Sequence, residues 1–171
     1  MTEPGRLISL GQDEDLIDAQ ALLGVLRECH EVRERRRAGT THVTRQALWS
    51  FWELPRLPRP IISNKYPRPY PWSPGARNVY LTTGRTSGLV LEHVKPLNIL
   101  LDTMIFSAGG WTVIDLINYL ETYMAGAVIT KAEDDALQAA GVGLGPLDQN
   151  DPDLWARYRT ASLEPESYAP L

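Results

Sequence analysis

Cysteine is almost missing from this chain. Cys29 is the single one among 171 residues, which excludes an internal disulfide and any cysteine-rich zinc knuckle. Long apolar runs are missing too: no stretch reaches the ~18 residues that a membrane-spanning helix needs. The opening Met1-Thr2-Glu3-Pro4-Gly5 lacks the basic-then-apolar layout of a secretory leader. The expectation from these features is a cytoplasmic protein, in a reducing compartment and without membrane contact. Histidine is scarce, with His30, His42 and His93 only. No internal repeat and no low-complexity tract breaks the pattern.

The rest of the composition is ordinary. Hydrophobic residues at 43% and charged residues at 22% suit a globular chain with a real core, and the length suits a single domain over residues 1–171. The net charge of −4 conceals two unequal halves. Between Arg27 and Arg85 there are twelve Lys/Arg against four acids; from Glu92 onward there are four Lys/Arg against twelve acids. A basic half beside an acidic half suits a protein that grips a polyanion with one part and a cation with the other. Charge alone favours the plainer reading, two halves that simply attract each other.

Four stretches follow in order. Residues 1–54 form a helical arm. Leu16, Ala19, Leu22, Leu23 and Leu26 draw a helical apolar stripe through residues 12–38. Asp13, Glu14 and Asp15 favour its start, while Arg33, Arg35, Arg36, Arg37 and then Gly39 favour its end. Thr44 is placed to cap a second helix, Arg45–Leu54, in which Trp49, Phe51 and Trp52 read as core, as does Cys29.

Residues 55–76 hold seven prolines, so this segment is extended and wraps a surface. Arg56, Arg59, Lys65, Arg68, Tyr66, Tyr70 and Trp72 alternate with the prolines. Such a mixture packs as a wrapper with its cations toward water, and, compatibly with that, can offer cations and rings to a nucleic acid.

Residues 77–141 carry the chemistry. Asn78–Thr83 is strand-like, Gly84–Gly88 turn-like and Leu89–Lys95 a return strand, which together predict a β-hairpin. Two helices are predicted next, Leu97–Ser107 and Thr112–Met124. In the second, Val113, Leu116, Ile117, Leu120 and Met124 face inward, and Asp115, Asn118 and Glu121 outward. Ala127-Val128-Ile129 is a short buried strand, and Thr130 with Glu133 forms a capping box for a helix, Lys131–Ala140. Residues 142–171 are turn-rich, with one short helix at Asp153–Thr160. The fold class expected is α+β.

The central motif is Leu89-Val90-Leu91-Glu92-His93-Val94-Lys95-Pro96-Leu97. An apolar strand has little use for an adjacent carboxylate and imidazole unless the pair meets solvent, a metal or a substrate. The two side chains suit a division of labour in which one ligates a divalent cation and the other takes a proton from water.

Glu92-His93-Val94-Lys95-Pro96-Leu97 resembles the acid-His-x-x-Pro-Leu segment that opens the HNH, or ββα-metal, nuclease motif. Ala127–Asp134 resembles the second strand and first helical turn of that motif. The resemblance implies that His93 is the general base and that Glu92 helps hold Mg²⁺ or Mn²⁺. It implies a second ligand on the helix, where the family has histidine, asparagine or aspartate; Asp134 matches that position, 41 residues after His93, with Asp135 beside it. Asn118 is the other candidate. The family's middle asparagine has only Asn98 and Asn118 as counterparts. Arg77, Arg85 and Lys95 are the cations expected on a nucleic-acid backbone, DNA ahead of RNA.

The expected function is therefore a metal-dependent HNH-like endonuclease, a divergent one with Asp134 in place of the helix histidine. Two alternatives stand beside it. One is a catalytically decayed HNH scaffold that still binds nucleic acid. The other is a protein-interaction, antitoxin-like partner whose acidic half meets a basic protein.

Overall fold

The structure is a computed structural model that describes residues 5–63, 65–142 and 153–171, with residues 36–38 described by their backbone alone. It is a mixed α+β fold, with two small antiparallel two-stranded sheets among the described residues. No helix among these residues is long and apolar enough to cross a membrane. The chain gathers into two compact units, each assembled from separated stretches. One holds residues 7–57 and 97–124; the other holds 1–6, 58–96 and 125–171.

The first unit is helical. α1 runs unbroken from Gln12 to Leu48, followed by a wider π turn at Trp49–Glu53 and a single turn, α2, at Leu54–Arg56. The break expected at Gly39 is absent, and Thr44 lies inside the helix as a fully buried residue rather than a cap. A helical glycine costs about 1 kcal/mol relative to alanine. Packing outweighs that cost, because Thr40, Thr44, Ala47 and Leu48 are all buried beyond it. Of the three aromatics read as core, only Trp52 is buried; Trp49 is half-buried and Phe51 exposed.

α3 (Pro74–Thr83) belongs to the second unit and is described with it; the first unit continues with α4 (Leu97–Ser107) and α5 (Val113–Tyr123). Leu100, Leu101, Met104, Leu116 and Leu120 meet the α1 stripe of Ala19, Leu22, Leu23 and Leu26 in one apolar cluster that includes Cys29. α5 begins with a complete capping box between Thr112 and Asp115. Arg56, drawn in the sequence as a candidate phosphate contact, is instead an internal brace. It is 1% exposed, pairs with Asp15 at 2.7 Å and Asp18 at 2.9 Å, and stacks over Trp52 at 3.8 Å.

The second unit holds both sheets. β1 (Ile61–Ile62) pairs with β2 (Tyr66–Pro67) in the Pro-rich stretch. Tyr66, Tyr70 and Trp72 are buried there, Arg59, Lys65 and Arg68 exposed, so the stretch packs its rings inward as a wrapper. Trp72 closes it with an indole bond to the Pro67 carbonyl at 2.9 Å.

Asn78–Thr83, expected as a strand, is the second half of α3. Ser73 caps that helix by accepting from the Ala76 amide, Pro74 opens its first turn, and Gly84 ends it with φ +64°. These local signals outweigh the β-branched Val79, Thr82 and Thr83. The hairpin expected around Gly84–Gly88 is therefore not formed. β3 (Leu89–His93) pairs antiparallel with β4 (Gly126–Thr130), with Glu92 opposite Ala127 and His93 opposite Gly126. α6 (Lys131–Ala139) follows β4 directly, capped by the Thr130–Glu133 box as its spacing predicts. α7 (Ala156–Thr160) brings Arg157 and Tyr158, both buried, to the end of β3.

Candidate functional site

β3, β4 and α6 make a ββα unit in chain order, with α4 and α5 inserted between its strands. Side chains alternate across a strand, so Glu92 and His93 leave opposite faces of β3. Val90 and Glu92 share a face with their partners Ile129 and Ala127, and on that face Leu137 of α6, Val94 and Tyr158 complete an apolar cluster. His93 shares the other face with Leu91 and Gly126. Here the Tyr70 ring lies so close that a Cβ on Gly126 would meet it at 2.8 Å.

Glu92 has a partner that the sequence reading did not single out. The Arg157 guanidinium, 1% exposed, forms an ion pair with the Glu92 carboxylate. The same Nη2 donates to the His93 carbonyl at 2.6 Å, and Nε donates to the Val94 carbonyl at 2.7 Å. Three consecutive residues of the motif are thus held by one side chain. Tyr158 beside it is wholly buried, and burial pushes its hydroxyl far above the ordinary range although Arg157 works against the shift. The signal available in the sequence was Arg157 itself, one of only four cations in the acidic half.

Asp134 sits in the first turn of α6, with a side chain 16% exposed, and Lys131 donates to it at 2.9 Å. Lys131 also donates to the exposed Asp135 at 2.6 Å, and these two carboxylates hold the ammonium pKa above its usual range. One oxygen of Glu133 serves the fold: it accepts from the Thr130 amide, the Thr130 hydroxyl and the Ser73 hydroxyl.

The remaining residues divide between the units. Arg77, on α3, donates to the Ser167 carbonyl at 3.4 Å, and Arg85 is exposed after that helix. Lys95 is half-buried, and burial lowers its pKa. These three share a unit with Glu92, His93 and Asp134. Asn98, half-buried on α4, and Asn118, exposed on α5, belong to the helical unit instead.

The donors suit a hard divalent cation in kind. Glu92 pairs through Oε1 and Asp134 through Oδ2, so the second oxygen of each carboxylate lies outside its ion pair. No group of three or more His, Cys, Asp or Glu side chains gathers as a metal cage among the described residues. No protein-family model, curated protein or solved structure matches this chain.

Proposed function

We propose that this protein is a divergent HNH-like nuclease that hydrolyses nucleic-acid phosphodiester bonds with a divalent cation, Mg²⁺ or Mn²⁺. The observation that carries the reading is the order β3–β4–α6. Glu92-His93 ends the first strand, the second strand pairs with it antiparallel, and a capped helix bearing Asp134 begins at the next residue.

In this proposal His93 takes the proton from the attacking water, and Glu92 and Asp134 hold the cation. The bound cation supplies charge stabilisation at the phosphate and the leaving oxygen. Arg157 keeps the Glu92 carboxylate oriented and fixes the backbone on which His93 stands. Arg77, Arg85 and Lys95 contribute positive charge toward the phosphate chain, an attraction that weakens as salt rises.

The test is cleavage of plasmid and of single-stranded DNA with Mg²⁺, with Mn²⁺ and with chelator. Metal-dependent cleavage that falls at least about 100-fold in His93→Ala supports the reading. Absence of cleavage with either metal, or cleavage indifferent to His93→Ala, overturns it.

A second reading is favoured by one observation: Glu92 already carries a buried counter-ion, Arg157. On this reading the ββα scaffold binds nucleic acid without cutting it. Calorimetry separates the two, since the scaffold alone retains DNA in a gel shift and takes up no Mn²⁺.

A further inference from the structure

The helical unit contains a cavity of about 380 Å³ between α1 and α4, and we propose that it is a binding site for an unpaired nucleobase of single-stranded nucleic acid. The inference rests on the nucleic-acid part of the reading above and is independent of catalysis.

An aromatic platform comes first. Phe106 lines the cavity and is 70% exposed, so its ring is open to a partner. The Arg33 guanidinium lies 5.1 Å from the ring centroid. The platform is anchored rather than loose. His30 Nδ1 lies 2.9 Å from the Ile105 carbonyl on α4, and as an N–H it donates there, which places the His30 ring beside Arg33. A planar ring stacked beside a guanidinium is the pairing that unstacked bases meet, and any base offers the required π face.

The walls then select among rings. Glu34 and Asp102, both carboxylate-bearing, and Thr40 and Thr41, both hydroxyl-bearing, are among the lining residues. Carboxylates are acceptors only, so they suit a ring with an exocyclic amino group, as in cytosine, and offer nothing to thymine at that position. In a duplex those amino groups are already paired and the ring faces are stacked. The site therefore takes a base only from a single strand.

From Arg27 to Arg45 the sequence carries six arginines against three glutamates, a net positive stretch of the sign that a phosphate chain requires.

The experiment is fluorescence anisotropy in chelator with labelled oligo(dC), oligo(dT) and a mixed-sequence duplex. Expected is tighter binding of oligo(dC) than of oligo(dT) or duplex, a loss of about tenfold in Phe106→Ala, and a weaker oligo(dC) preference in Asp102→Asn. Phe106 is exposed, so its substitution spares the fold; circular dichroism checks this, and Arg33→Gln serves as a second variant with the same expected loss. Equal affinity for oligo(dC) and oligo(dT), preference for duplex, no binding at all, or unchanged binding in both Phe106→Ala and Arg33→Gln overturns the proposal. The catalytic reading fails separately: oligo(dC) binding that survives in chelator, from a protein that cleaves nothing with Mg²⁺ or Mn²⁺, removes the nuclease and leaves this site standing.

Discussion

The Arg157 guanidinium pairs with the Glu92 carboxylate across 65 residues of sequence, and through the same nitrogen it also holds the His93 carbonyl. The contact joins a short helix, α7, to the end of β3, and it makes the most unusual dipeptide of the chain part of a half-buried polar network. Removing one partner leaves the other without its counter-charge.

Arg157→Met is expected to destabilise the protein by about 3–5 kcal/mol, the usual cost of breaking a buried pair from one side. Arg157→Lys keeps a charge but not the fork that reaches Glu92, His93 and Val94 together, so it recovers only part of the loss. Urea unfolding of both variants, with Glu92→Gln and the double variant completing a cycle, measures the coupling. A coupling energy near zero contradicts the assignment of Arg157 as the Glu92 partner.

The two carboxylates on Lys131 differ in exposure. Asp134 is 16% exposed and Asp135 63%. Under the nuclease proposal Asp134→Asn lowers Mn²⁺ affinity about tenfold or more, while Asp135→Asn leaves it nearly unchanged. Calorimetry reads both directly. Equal effects of the two substitutions would remove Asp134 from the proposed ligand set.

Asp15 links stability to acid. Burial alone would raise its pKa, but hydrogen bonds from Ser9, Arg56 and the Leu10 amide outweigh burial and hold the carboxyl below its usual value. A pKa lower in the folded state means stabilisation that is present above the unfolded value of about 4 and is lost as pH falls through the folded value. Thermal melting from neutral pH down to pH about 3 is expected to show a steeper acid loss in the wild type than in Asp15→Asn. Parallel curves would contradict the linkage.

Gly126 and Glu133 set the geometry at the start of β4 and of α6. A methyl at position 126 meets the Tyr70 ring at 2.8 Å, so Gly126→Ala is expected to cost about 1–3 kcal/mol through overpacking. Glu133→Ala removes the acceptor shared by Thr130 and Ser73 and costs about 2 kcal/mol. Asp115→Ala, in the exposed capping box of α5, costs about 1 kcal/mol or less. Chemical denaturation that ranks Asp115→Ala as the most damaging of the three contradicts this accounting.

The sequence by itself determined what neighbours within a few residues decide. The Thr130–Glu133 box, the helix Leu97–Ser107 and the inward face of α5 all follow from caps and periodicity. The α3 signals were equally local: Ser73-Pro74 at one end and Gly84 at the other. Three β-branched residues between them argued for a strand, and the caps were the stronger term. The pair Glu92-His93 stood out as a candidate because charge is costly in an apolar strand.

Tertiary structure alone decided the rest, because each remaining feature depends on groups far apart in the chain. Burial beyond Gly39 carries α1 through a residue that local preference would use as a stop. β3 finds its partner beyond two inserted helices, where no turn sets the register and the match of buried faces does. The partner of Glu92 and the cavity between α1 and α4 belong to the same class of fact. Residue type shows that a carboxylate must be compensated, but only the packed chain chooses Arg157 to compensate it.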